Sequence, residues 1–118
     1  MKLVYASRTG NVEKLVNRLN ADHVLKITTG EETVDEPVLL ITYTDGVGQL
    51  PAIVAGFVEK NRPYIKEAAV SGNKERHPDT FGYAANVLKD TYHVPVLTVF
   101  NKDGDDETVS VIKSALSA

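Results

Sequence analysis

The chain has 118 residues, of which 42% are apolar and 25% charged, and carries a formal net charge of -3. That length supplies one hydrophobic core, the composition is that of a folded globular domain, and the slight acidic excess excludes a general basic surface for nucleic acid or an anionic membrane. The absence of cysteine excludes disulfides, thiolate metal sites, iron–sulfur clusters and cysteine nucleophiles, and no apolar run approaches the roughly 18 residues of a membrane span.

The expectation is a soluble, cytoplasmic single domain without a leader. Leu3-Val4-Tyr5, bounded by Ser7-Arg8-Thr9-Gly10-Asn11, predicts a first strand and a polar turn. Val12, Leu15, Val16 and Leu19 then recur at i, i+3, i+4 and i+7, which puts one apolar stripe on a helix that closes near Asn20. His23 to Ile27 can form a second strand, after which the polar segment from Thr28 to Glu36 returns the chain to the sheet. Pro37 to Tyr43 is almost continuously apolar, the mark of a central parallel strand covered on both faces.

A two-glycine loop, Thr44 to Gln49, follows, and Pro51 suits the first turn of a helix carrying Ile53, Val54, Phe57 and Val58. Ala68-Ala69-Val70 predicts a fourth strand, shorter than the third, ahead of a polar stretch and a helix with Ala84, Val87, Leu88 and Thr91 in register. Val94 to Phe100 predicts a fifth strand with Pro95 near its start, where a missing N–H is tolerated. Asp105 or Asp106 can cap a last helix with Val109, Ile112 and Leu116 inward.

This order reads as five βα units, and strict alternation implies a parallel sheet with helices on both faces. The expected fold is the three-layer, doubly wound α/β arrangement with strand order 2-1-3-4-5, whose ligands sit beyond the carboxyl ends of the strands near the switch between the first and third. Three loops meet there: 7–12, 44–50 and 71–82. In the first, Ser7, Thr9 and Asn11 offer side-chain donors and Gly10 lets backbone approach an oxyanion at the positive end of a helix. The same residues also serve as ordinary helix caps. The loop lacks both the Lys-Ser/Thr ending of an ATP-binding P-loop and the spacing of a dinucleotide site, so a single phosphate monoester fits best. Tyr43 and the backbone of the second loop can lie against a flat ring, or form a plain turn. Ser71-Gly72-Asn73 and Phe81-Gly82 can make a third wall, with Lys74-Glu75-Arg76-His77 as a solvated tip.

Together, Ser7-Arg8-Thr9-Gly10-Asn11, the run from Ile41 through Thr42-Tyr43-Thr44-Asp45-Gly46-Val47-Gly48-Gln49 to Pro51, and Ser71-Gly72-Asn73 with Phe81-Gly82 resemble the small flavodoxin-like activators of class Ib ribonucleotide reductase, the NrdI family. The resemblance implies a flavin mononucleotide (FMN) site. Ser7, Thr9, Gly10 and Asn11 would hold the phosphate, with Arg8 and Val12 contributing backbone. Tyr43, Thr44, Asp45, Gly46, Val47, Gly48 and Gln49 would flank the ring, and Gly72, Asn73, Phe81 and Gly82 would close its far side. The stretch from Lys74 to Pro78 departs from the family by lacking an aromatic residue. The implied role is an accessory redox protein that passes electrons, superoxide or peroxide toward the dimanganese site of the radical-bearing small subunit, with O2 and an electron-donor reductase as further partners. A lone Asp45 carboxylate near the ring would disfavour its reduction.

The alternatives are few. A general electron-transfer flavodoxin shares the first motif, although such proteins are commonly longer. A phosphorelay receiver is imitated by Asp45 and Lys102, but Tyr5-Ala6-Ser7 supplies no acidic pair for Mg²⁺ after the first strand. Small tyrosine phosphatases need the cysteine that is missing. A flavin-free interaction module is compatible with the fold alone.

Overall fold

The computed structural model describes residues 1–118. In chain order its elements are β1 (Lys2–Tyr5), α1 (Asn11–Leu19), β2 (Val24–Lys26), β3 (Val38–Tyr43), α2 (Ala52–Asn61), a 3₁₀ turn over Arg62–Tyr64, β4 (Ile65–Gly72), α3 (Ala84–Tyr92), β5 (Val96–Asn101) and α4 (Asp106–Ser117). The strands form one parallel sheet in the order β2-β1-β3-β4-β5. Alternate side chains along each strand point to opposite faces, and this splits the core in two. Val4, Val38, Leu40 and Val70 meet Val54, Phe57 and Leu88 on the side of α2 and α3. Leu3, Tyr5, Leu39 and Ile41 meet Leu15, Leu19 and Ile112 on the side of α1 and α4. β3 lies between the two, its first five residues buried, as its unbroken apolar run demands.

The helices follow from their apolar spacing. Val12, Leu15, Val16 and Leu19 are all buried on α1. Asp105 caps α4 by accepting the Thr108 N–H at 2.9 Å, while the Thr108 hydroxyl lies 3.3 Å from the Asp105 N–H, a reciprocal arrangement that satisfies two otherwise free donors. On α3 the buried stripe is Ala84, Ala85 and Leu88, and Thr91, expected in that stripe, is exposed.

Two expectations are corrected. The chain contains four α-helices rather than five βα units, because no helix joins β2 to β3. The segment 28–36 has no helical apolar period, and it folds instead around the Glu32 carboxylate, which accepts the backbone N–H groups of Thr28, Thr29 and Gly30 and the Thr28 hydroxyl. Buried Asn61 fastens this loop to α2, accepting the Val34 N–H and donating to the carbonyls of Glu32 and Phe57, all at 2.9 Å. The fourth strand is also longer than the third, at eight residues against six. Lys66 and Glu67 hide its beginning from an apolar reading, and the register slips there so that Val38 faces Ile65 and Leu39 faces Glu67, leaving Lys66 exposed in a bulge.

Burial raises the Glu32 carboxyl, but hydrogen bonds from the backbone of Thr28, Glu32 itself, Thr29 and Gly30 more than offset this and hold it down at about 2, against an ordinary 4.5. A depressed carboxyl stabilises the fold above its unfolded value and loses that contribution as pH falls toward the folded one. Urea unfolding of Glu32→Gln is therefore expected to show a loss of about 1–2 kcal/mol at pH 7. The gap to wild type should narrow below pH 4.5 and close near pH 2. Asn61→Ala, which leaves the part-buried Val34 N–H and the carbonyls of Glu32 and Phe57 without their partner, is expected to cost about 1–3 kcal/mol in the same measurement at every pH.

Candidate functional site

At the carboxyl end of the sheet the chain leaves β1 through Ala6, whose N–H still pairs with the Ile41 carbonyl at 3.0 Å. It then turns into α1 through Gly10 at φ +96°, a left-handed conformation that a side chain resists. A Cβ placed on Gly10 would meet no protein atom within 4 Å, so the turn faces open space. Every backbone N–H from Arg8 to Val12 is without a protein acceptor. The Ser7 hydroxyl accepts the Glu13 N–H at 3.2 Å, which caps the helix and leaves the hydroxyl proton available to an anion. The capping and the anion-binding readings of this loop are thus compatible. The Thr9 hydroxyl and the Asn11 amide make no bond to protein.

The start of α1 is fixed from beneath. Glu13 accepts the Tyr5 hydroxyl at 2.8 Å and the Lys26 ammonium at 2.7 Å, tying the first helical turn to β1 and β2. Burial, then the Glu13 hydrogen bond, pushes the Tyr5 phenol up to about 12, so it stays a donor at physiological pH. The loop therefore rests on a rigid base.

The crevice beyond these donors is lined by Ser7, Arg8, Thr9, Asn11 and Val12 on one side, by Tyr43, Thr44 and Gly46 on the second, and by Gly72, Asn73, Phe81 and Gly82 on the third. Gly10, Asp45, Val47, Gly48 and Gln49, expected at the site, are not among the lining residues. Gly10 shapes the turn from behind. Asp45 and Gln49 close the base of the second loop through reciprocal backbone hydrogen bonds of 2.8 Å. Gly48 has no Cβ because one would come within 2.7 Å of the Tyr83 Cβ, and Val47 stands at the loop tip, 69% exposed.

Thr44 spends its hydroxyl on the Ser71 carbonyl at 2.9 Å, which joins the second wall to β4. The third wall is held by the β5–α4 connection. Ser71 donates to the Lys102 carbonyl, Asn101 accepts the Lys74 N–H at 3.0 Å, and Lys102 pairs with Glu75 at 2.8 Å. Within that wall the Asn73 side-chain carbonyl accepts the N–H groups of Glu75 and Arg76, leaving its amide N–H free.

Ser71, expected in the third wall, lines the crevice, as do Arg76, His77 and Thr80, which lie outside the expected ligand set. Ser71 stands at the carboxyl end of β4, so its position in the fold signals it, whereas Arg76 and His77 lie in an unpatterned polar run that reads as a solvated tip. They are exposed and also face the crevice. Asp45 is not a lone charge, because Arg8 Nη1 donates to its Oδ1 at 2.5 Å. The same guanidinium lies 5.4 Å from the centre of the Tyr43 ring. Burial raises the Tyr43 phenol above its ordinary value, with Asp45 adding to the rise and Arg8 opposing it.

This arrangement suits a phosphate monoester on the α1 turn with an attached flat group between an aromatic wall and an amide-rich one. No cluster of side chains suited to a metal ion is present, and no helix is long and apolar enough to cross a membrane. Among solved structures the chain is similar to a short-chain flavodoxin associated with a non-canonical PDU bacterial microcompartment, at 17% identity and a TM-score of 0.64, over 96% of this chain and 90% of that one. At that identity the likeness concerns the fold. Residues 3–114 match the model of the NrdI flavodoxin-like family. A match over nearly the whole chain, joined to the parallel sheet order and the open donor turn, places this protein in the NrdI family, the FMN-binding flavoproteins that activate class Ib ribonucleotide reductase through its small subunit.

Proposed function

We propose that FMN occupies this crevice, with its phosphate on the N–H groups of Arg8 to Val12 and its ring between the 44–49 loop and the 71–82 segment. The run of backbone donors without protein acceptors at the opening of α1 carries the reading. Such a turn binds an anion through the N–H groups and the positive end of the helix together. The donor set fits the group: the Ser7 and Thr9 hydroxyls and the Asn11 amide surround the turn, and Tyr43 and Phe81 supply aromatic surface for a flat ring. Asp45, Gly48 and Gln49 act by shaping the second loop, and Val47 stands at its tip.

Bound FMN supplies one- and two-electron redox chemistry. The protein's residues orient it, cover part of its ring and leave the crevice mouth open. In this reading O2 is the electron acceptor, the superoxide or peroxide so formed is delivered to the dimanganese site of the reductase small subunit, and an electron-donor reductase supplies the electrons. Val47 and Tyr83, 69% and 46% exposed, stand beside the mouth and give it an apolar rim. A partner that must receive a short-lived oxidant has to cover that mouth, and exposed apolar side chains are what such a surface buries.

Asn11→Asp tests the phosphate position. A carboxylate in the first turn favours the helix but repels a phosphate, so the variant is expected to fold normally and lose FMN affinity by roughly tenfold or more, with riboflavin affinity unchanged. Fluorescence titration with both ligands reads the difference. Oxygen consumption by the reduced protein is expected to change when the manganese-loaded small subunit is added, and Val47→Glu should abolish that change without altering FMN binding. A rate indifferent to the subunit would make the protein a general electron-transfer flavodoxin.

A further inference from the structure

We infer that Arg8 is a positioning residue for the ring-facing loop and, through its pairing with Asp45, sets the charge that the bound flavin experiences. The inference rests on the placement of FMN in the crevice. Arg8 belongs to the donor turn ahead of α1, and Asp45 to the loop after β3, so their ion pair joins the two loops at the sheet's switch point. Asp45 Oδ1 also accepts the Gly46 N–H at 3.0 Å, while the Asp45 carbonyl accepts the N–H groups of Gly48 and Gln49. One carboxylate residue therefore organises the whole Gly46–Gly48 turn, and Arg8 is its only side-chain partner.

The pair is exposed, at 58% for the Arg8 side chain and 34% for Asp45, and exposed pairs add little to stability. Its geometry has a different effect. Arg8 lines the crevice, and Asp45, paired with it, does not. Reduction of the ring adds negative charge, so a carboxylate left alone beside the crevice would oppose reduction and a guanidinium left alone would favour it. Paired, they nearly cancel. The 5.4 Å contact of Arg8 with the Tyr43 ring holds the guanidinium between the two loops. Arg76 and His77, which also line the crevice, belong to the opposite wall and are the same in every variant compared.

The test is a charge cycle read by anaerobic potentiometry on FMN-loaded wild type, Arg8→Gln, Asp45→Asn and the double variant. Arg8→Gln is expected to shift the one-electron equilibrium against reduction by a few-fold, up to about tenfold or about 59 mV, and Asp45→Asn to shift it the other way by a similar factor. The double variant should return to within about twofold of wild type, and Arg8→Lys should stay on the wild-type side of Arg8→Gln. In the protein without FMN, amide exchange at Gly46 to Gly48 should quicken in both single variants. Shifts of the same sign in the two single variants, or a double variant that stays shifted, overturn the inference. So does an Arg8→Gln variant that loses FMN affinity while keeping riboflavin affinity, because the guanidinium would then serve the phosphate. Failure of the FMN placement itself reads out separately, as an Asn11→Asp variant that binds FMN as tightly as wild type.

Discussion

The left-handed turn at Gly10 governs the site. A parallel strand delivers the chain to the carboxyl edge of the sheet, and a helix must begin almost at once to cover the face below. Gly10 makes the reversal at φ +96°, and the residues around it surrender their backbone N–H groups to the crevice because no protein carbonyl can reach them. Donors without protein partners at a helix opening favour an anion, and on the proposed placement the FMN phosphate completes this turn. The Tyr5–Glu13–Lys26 network beneath it keeps the first turn of α1 from relaxing to satisfy those donors itself.

Around that fixed point the other two walls are held by different means. The second is a closed turn organised by Asp45 and anchored through Thr44 to β4. The third depends on the β5–α4 connection, where Asn101 and Lys102 hold the start of the segment while Phe81 and Gly82 pack at its end. On the proposed placement the phosphate side is built from secondary structure, and the ring side from loops that side-chain contacts fasten to neighbouring strands. A scaffold of this kind binds a tail rigidly and leaves the chemistry of the head to be tuned by loop residues.

Much of this was legible in the residues. The unbroken apolar run from Val38 to Ile41 marks the sheet centre, the i, i+3, i+4, i+7 stripe marks α1, and Ser7 to Asn11, between the first strand and that helix, marks the donor turn. What escaped reading had physical causes. The missing helix between β2 and β3 is replaced by a loop built on one carboxylate, and a lone Glu32 carries no periodic signal. The start of β4 is concealed by Lys66 because a bulge turns that residue outward. Arg76 and His77 follow Lys74 and Glu75, whose contacts with Asn101 and Lys102, distant in sequence, hold the start of their segment against the β5 end of the sheet. The pairing of Arg8 with Asp45 crosses 37 positions and is a product of the strand order.

The brevity of β2 has a consequence for the molecule among its neighbours. It is a border strand of only three residues, Val24–Lys26, with Lys26 already engaged by Glu13. An open flank of a sheet is a template on which other chains can zip up, and its danger grows with its length. Here the template ends after a single pleat. Crowded copies therefore find little to grow from along this margin.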